Sequence, residues 1–506
     1  MVRKNIASNI IGRAWSVISV YLFVPLYLKF LGIEAFGLVG FYSTLLGVLA
    51  FADMGFTATL NREMARLSVR DDAADEMRNL LRTFEVAYIC ITLVLSLTLW
   101  IFAPHIVSYW LRSGQLNPHE ITLAIRLMGL AIALQLPSGL YVGGLMGLQM
   151  QVRANHLQIA WGLYRGIGGV LILWLFSPTI IAFSFWQLAA NAVYFFMTRR
   201  SLWRALAFDL PKANGCFRWQ IFRNTWRYGA GMAGMAVVST VLTQSDKLAV
   251  SKMLTLEMLG FYTLAGSLAA VPLMLASPIA SAVFPRLTAM VIAGDHAKLV
   301  HLYHRSTELV AVAIIPSALT LAFFSADFIR AWTGIAATAQ GAELAASFLL
   351  GGQLMQAITL IPFYVALAHG NVKLNLQIGI ASLAVIIPLL IYLIMQFGIA
   401  GAGLSWFILN ICTLPPYMYI LHRRFLKGQL LHWCVHGIGR PILAALPCVM
   451  VGRLLMPYTE SRLLTFCSIG IVWLIATTAS ILLSREVRQE IFVIISKVFV
   501  SRHTGK

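Results

Sequence analysis

Lys29-Phe30-Leu31-Gly32-Ile33-Glu34-Ala35-Phe36-Gly37 returns later in the chain as Lys252-Met253-Leu254-Thr255-Leu256-Glu257-Met258-Leu259-Gly260. The shared pattern is K-x-L-x-x-E-x-x-G, and each copy follows the first long apolar stretch of its half. A second pair sits at the same offset: Arg153-Ala154-Asn155-His156-Leu157-Gln158 matches Lys373-Leu374-Asn375-Leu376-Gln377. Arg62 and Arg286 also fall at corresponding places. The offset of roughly 220 residues covers six apolar stretches, an even number that preserves direction, so the halves read as parallel repeats. Chance agreement within low-complexity apolar sequence is the competing explanation. Two motifs at one offset, each at the same topological place, argue against it.

The surrounding chain explains what is being repeated. Of 506 residues, 59% are hydrophobic and only 11% are charged, and the mean hydropathy is +0.80. A single soluble core would not absorb that much apolar sequence. The apolar residues come in blocks of about 20, the length that crosses a hydrocarbon layer about 30 Å thick. The blocks fall near 7–30, 36–60, 83–104, 121–148, 157–176, 178–198, 229–252, 260–284, 308–325, 344–368, 374–397, 400–421, 439–457 and 463–484. The expected fold class is an all-α polytopic membrane protein with about 14 transmembrane helices. Its expected organisation is a six-helix lobe over 1–215, a repeated six-helix lobe over 216–428, and two additional helices with a tail over 429–506.

Charge orients the chain. Lys and Arg total 38 against 19 Asp and Glu, a formal net charge of +19. About 29 of the basic residues fall in alternate loops, which the positive-inside rule places in the cytoplasm with both termini. The opposite loops hold little beyond Arg112, Arg330 and Arg462, and they are too short for a folded external domain. The basic excess reads as orientation and contact with anionic membrane lipids. No nucleic-acid reader motif accompanies it, and nucleic acid is not an expected partner. The six cysteines are scattered without CxxC pairs, so neither a disulfide framework nor a cysteine metal site is expected. The Met1-Val2-Arg3-Lys4 start runs into an apolar stretch without a small-residue cleavage site, and reads as the first span.

Charges inside the spans are the candidate functional residues, because a charge at the bilayer centre costs at least about 2.5–3.5 kcal/mol. Arg13 lies a turn or two into the first span, Arg126 near the start of the fourth, and Arg165 within the fifth, between apolar segments. Arg165 reads as lining a cavity; Arg13 reads equally as a snorkelling residue. Asp53 lies in the second span, as a proton or cation site or as a packing partner for an arginine. Asp246 and Lys247 lie in the seventh, as an internal pair or as interfacial residues. Prolines interrupt many spans, Pro137 and Pro362 at equivalent places, either as flexing points or as ordinary members of such helices. His301 with His304, and His432 with His436, have ligand-like helical spacing but no convergent carboxylate in the sequence. Interfacial placement is the expectation for them, with no metal and no cofactor. No Walker A loop, HExxH or GxSxG motif is present, so no enzyme activity is expected.

Several of these stretches resemble the polysaccharide (O-antigen) flippase family of the multidrug/oligosaccharidyl-lipid/polysaccharide exporter superfamily. The resemblance rests on Asp53-Met54-Gly55 with Arg62, and on Gln244-Ser245-Asp246-Lys247-Leu248-Ala249-Val250-Ser251. It continues in Leu259-Gly260-Phe261-Tyr262-Thr263-Leu264-Ala265 and Phe284-Pro285-Arg286-Leu287, and covers roughly 1–425. It implies two six-helix lobes that open alternately to each side of a bacterial inner membrane. The implied cargo is an oligosaccharide on a polyprenyl pyrophosphate, moved from the inner to the outer leaflet for surface polysaccharide synthesis. It also implies a cationic cavity in which Arg13 and Arg165, with Arg126 nearby in sequence order, would grip the pyrophosphate. Asp53, Asp246 and Lys247 would then serve ion coupling or gating, with H+ or Na+ as the coupling ion. The last two spans would help to hold the lipid tail, and other polysaccharide-assembly proteins are implied partners.

Three further readings stand beside this one. A multidrug exporter of the same fold would favour acidic cavity residues, whereas the charges here lean basic. A membrane-embedded polysaccharide polymerase or ligase would be expected to carry a substantial external loop. A lipid II-type flippase differs in cargo and shares the mechanism.

Overall fold

The computed structural model describes residues 2–70, 73–206, 215–456, 459 and 461–489, with backbone only for 2–11, 13, 14, 16, 17, 224–236 and 372. Almost every described residue is helical, as hydrocarbon requires: a helix satisfies its own amides where no water can. The helices are α1 Val2–Leu49, α2 Phe56–Leu67, α3 Ala74–Tyr109, α4 Pro118–Gly147, α5 Gln151–Leu175, α6 Ile180–Ala205 and α7 Trp219–Met253. They continue as α8 Leu256–Ala269, α9 Val271–Ala293, α10 His296–Phe323, α11 Ser325–Thr333, α12 Ala336–Ile358, α13 Leu360–Ala368 and α14 Val372–Phe425. The short α15 Leu430–His432 runs into a π-helical turn, Trp433–Gly439, and then α16 Arg440–Leu455 and α17 Arg462–Leu483 follow.

Two of these helices each hold two spans. Gly32, at φ 75°, turns the chain inside α1, and Gly398, at φ 58°, does so inside α14. Positive φ is open to glycine without a Cβ penalty, so the turn needs no loop. α8 with α9, and α12 with α13, run on as single spans. Eleven helical segments among the described residues are long and apolar enough to cross a membrane, and dividing α1 and α14 at their glycines and adding α7 gives about fourteen spans. Helix starts are capped where the sequence supplies a short polar side chain. The Asn117 side chain accepts from His119 N at 2.9 Å, and Asp295 accepts from Lys298 N at 3.1 Å.

The chain forms two compact units, Met1–Gly260 and Phe261–Lys506. In the first, Phe56, Leu60 and Met64 of α2 meet Leu81, Phe84 and Tyr88 of α3 and Tyr141 and Leu145 of α4. The outward face of α3, with Leu93, Val94, Leu97, Ile101 and Phe102, is exposed and apolar, as a lipid-facing surface must be. In the second unit, α10 is central: Tyr303, Ile314 and Ile315 share one core with Leu421 of α14, Val449 of α16 and Ile469 of α17. The two additional helices are therefore built into this unit. Trp473 Nε1 donates to Ser317 Oγ at 3.0 Å, Arg330 donates to Thr459 O at 3.2 Å, and Arg453 pairs with Asp327.

One buried carboxylate ties the first unit together. Glu85 of α3 is 1% exposed, and accepts from Tyr141 Oη at 2.7 Å, Arg82 at 2.7 Å and Arg199 of α6 at 2.5 Å. Both arginines are about 40% exposed, so they keep some water while satisfying an acid that has none. Replacing Glu85 by Ala leaves the Tyr141 hydroxyl without an acceptor, a cost of about 1–3 kcal/mol. E85A is expected to lower the unfolding temperature in detergent and the membrane abundance, with E85Q intermediate; an unchanged melting curve for E85A would contradict this role.

Candidate functional site

Arg165 enters the membrane interior because α5 is pressed closely against α1. A Cβ on Gly166 would fall on the Phe23 ring, and the Tyr27 hydroxyl donates to Gly166 O at 3.4 Å. Glycine at 166 thus lets an aromatic face of α1 lie on the α5 backbone, and the neighbouring Arg165 is held at that seam. Its guanidinium carbon lies 5.1 Å from the centre of the Trp161 ring, one turn earlier. Among the described residues it makes no ion pair, so this half-buried cation keeps its hydrogen-bonding fork uncommitted to any carboxylate.

The platform under Arg165 is itself fixed. Trp161 Nε1 donates to Asn191 Oδ1 at 3.2 Å, and the Asn191 amide donates to Ala131 O at 3.0 Å, Tyr42 Oη at 3.2 Å and Gln135 Oε1 at 3.3 Å. Tyr42 in turn donates to Gln135 Oε1 at 3.0 Å. One turn from Asn191, Gln187 is 2% exposed, and neither of its side-chain polar atoms has a hydrogen-bond partner among the described residues. Four spans thus contribute polar side chains to one interior region.

Asp53 occupies a second polar place in the same unit. The chain leaves α1 through a 3-10 turn, Ala50–Asp53, and passes through left-handed Met54 and Gly55 before α2. Asp53 Oδ1 accepts from Thr57 N at 3.2 Å, from Thr57 Oγ1 at 2.5 Å and from the Tyr88 hydroxyl. No arginine pairs with it among the described residues. Close approach of α4 shapes the place as well, since a Cβ on Gly143 would stand 2.7 Å from Thr57 Cγ2.

The other candidates are distributed. Arg126 of α4 belongs to a different contact: its Nε donates to Trp100 O at 3.2 Å and its guanidinium carbon is 5.2 Å from the Trp100 ring centre. Asp246 Oδ1 accepts from the backbone N of Lys247 at 2.8 Å, and no Asp246–Lys247 side-chain ion pair is present among the described residues. The Arg13 side chain lies outside the described residues.

In the second unit, members of the two histidine pairs come together from different elements. The His304 ring centre lies 4.2 Å from that of His432, and His432 lies 4.4 Å from His436. His304 bonds Gln429 Oε1 at 2.9 Å, and His422, 2% exposed, bonds Tyr303 Oη at 3.2 Å. A carboxylate does approach, since Glu486 lies 3.7 Å from His301. Spacing along one helix could not show this, because the partners come from α10, α14 and the stretch before α16. No group of three or more His, Cys, Asp or Glu among the described residues is arranged to hold a metal. Between α16 and α17 runs an apolar groove of about 490 Å³, lined by Pro447, Cys448, Val451, Gly452, Val472 and Ile475.

Comparison with known proteins places this architecture. Solved structures with the same fold include a lipid II flippase in an inward closed conformation, with a TM-score of 0.71 at 15% identity over 94% of this chain and 98% of that one. An inward-facing multidrug resistance transporter aligns with a TM-score of 0.67 at 10% identity, over 82% and 96%. A Shigella flexneri protein described as an O-antigen transporter is 23% identical over 416 residues, 80% of this chain and 93% of that protein. A succinoglycan biosynthesis transport protein of Rhizobium meliloti is 24% identical over 390 residues, 74% and 72% respectively. The family model described as polysaccharide biosynthesis protein matches residues 2–291, more than half of the sequence, and this multi-pass membrane protein belongs to that family.

Proposed function

We propose that this protein is a flippase that carries a polyprenyl-pyrophosphate-linked oligosaccharide from the cytoplasmic to the outer leaflet of a bacterial inner membrane. The observation that carries this reading is Arg165, an intramembrane cation on an aromatic platform with no carboxylate to neutralise it among the described residues. A guanidinium kept in that state suits an anionic group, and its planar fork matches phosphate oxygens. Membership of a polysaccharide-biosynthesis family and likeness to transporters support the cargo class. In this reading the cytoplasm holds both termini, and lobes 1–215 and 216–428 rock as parallel repeats. The pair 429–506 offers its apolar groove to the isoprenoid chain, and the protein acts as a carrier and not as an enzyme.

Asp53 is the proposed coupling residue, with H+ or Na+ as the ion, because among the described residues its carboxylate meets hydroxyls and an amide. Arg13, Arg126, Asp246 and Lys247 remain candidate contributors to cargo binding or gating, and other polysaccharide-assembly proteins are proposed partners.

The decisive measurement is the transbilayer sidedness of lipid-linked oligosaccharide in a deletion strain. The expected result is accumulation on the cytoplasmic leaflet with loss of surface polysaccharide. Normal sidedness with new sensitivity to cationic dyes would replace this reading with that of a multidrug exporter.

R165A is expected to lower transport at least tenfold at unchanged membrane abundance, with R165K a partial rescue because an ammonium lacks the fork. Unchanged transport at equal abundance would remove Arg165 from the site. D53N should leave abundance intact and yield transport that no longer responds when the proton or sodium gradient is collapsed. If it responds as the parent does, coupling lies elsewhere.

A further inference from the structure

The repeated K-x-L-x-x-E-x-x-G motif does more than mark the halves, because its two copies meet. A Cβ on Gly37 would fall on Leu256 O, and a Cβ on Gly260 would fall on Ile33 O. The backbones on either side are thus in contact, and each glycine is the residue that allows it. Such an approach is stabilised by close packing, which is effective between helices in lipid.

The end of α3 is bound to both copies. The Glu34 carboxylate accepts from Gly114 N at 2.6 Å and Gln115 N at 2.9 Å, capping the turn that follows α3. Arg112 pairs with Thr255 in a single parallel β-bridge, with Leu256 N donating to Arg112 O at 2.9 Å. Trp110 Nε1 donates to Ser251 Oγ at 2.9 Å. The Lys252 ammonium bonds Tyr109 O and lies 5.3 Å from the Trp110 ring centre. The first copy thus supplies an acid that holds backbone amides, and the second supplies a lysine and an extended backbone that hold the same segment.

We infer that Glu34 is a positioning residue for transport, the key of a latch that closes one mouth of the protein through segment 109–115. This inference rests on the flippase reading for what the latch controls. By the distribution of basic loops, the latch stands on the outer side. A carrier that opens to that side must break these bonds in each cycle. The Glu34 bonds suit repeated opening: they are exposed and polar, so water replaces them at small net cost. Glu34 matters most among them because one carboxylate fixes two successive amides, and so sets the path of the segment that presents Arg112 to Thr255.

The test is a disulfide across the bridge. Arg112→Cys with Thr255→Cys places two thiols on bridge partners, within the reach of a disulfide. Oxidation is expected to cross-link the pair and lower transport at least tenfold, with recovery on reduction and no such effect in either single variant. Cross-linked protein that transports at the reduced rate would overturn the inference. A second readout needs no cargo. Leu256, 1% exposed in this state, is replaced by Cys and challenged from outside with a membrane-impermeant maleimide. Adding Glu34→Ala is expected to raise the labelling several-fold, and Glu34→Asp less. Labelling unaffected by Glu34→Ala would also overturn the inference. If cross-linking and labelling behave as expected while no lipid-linked sugar crosses the membrane, the latch stands and the cargo assignment falls.

Discussion

Hydrocarbon offers no partner to a peptide group, and this constraint governs everything else in the molecule. It makes the chain helical, and it makes each departure from helix an event that must be locally satisfied. Gly32 and Gly398 turn the chain without loops. The break at Ala50–Asp53 is held by Asp53, whose carboxylate caps the first turn of α2. The same constraint weighs on side chains: the Glu85 carboxylate is saturated by three donors, whereas the Gln187 amide has no partner among the described residues.

The fold was legible because its signal is long and redundant. Blocks of apolar residues and the alternation of basic loops agree on fourteen spans, and the described helices fall where the blocks do. Boundaries inside α1 and α14 were less visible, since a single glycine performs the turn. The repeat motif was visible as sequence, but the contact between its copies was not. Nothing in K-x-L-x-x-E-x-x-G says that Gly37 and Gly260 would lie against each other's neighbours.

The polar interior was legible only in part. Arg165 and Asp53 stood out as charges in apolar surroundings, and both are found in built environments. Glu85 carried a weaker signal, a lone acid at the start of a span beside Arg82, and its tie to Tyr141 and Arg199 is a tertiary fact. Asn191 and Gln187 are uncharged and passed for ordinary members of α6. The histidines show the opposite limit. Spacing within one helix describes neighbours on that helix, while the contacts of His304 come from segments more than a hundred residues away.

The saturation of Asn191 has an evolutionary consequence. Its amide gives hydrogen bonds to three oxygens and its carbonyl receives one from Trp161, so both ends of the group are engaged. Aspartate would turn donors into acceptors facing Ala131 O and Gln135 Oε1, and leucine would strand the Trp161 Nε1 donor. Lipid-facing positions such as Leu97 or Ile101 can wander among apolar residues with little effect. Position 191 has almost nowhere to go by single steps. A change there disturbs its partners at 42, 135 and 161 as well, so the four positions form one physical unit beneath a more tolerant surface.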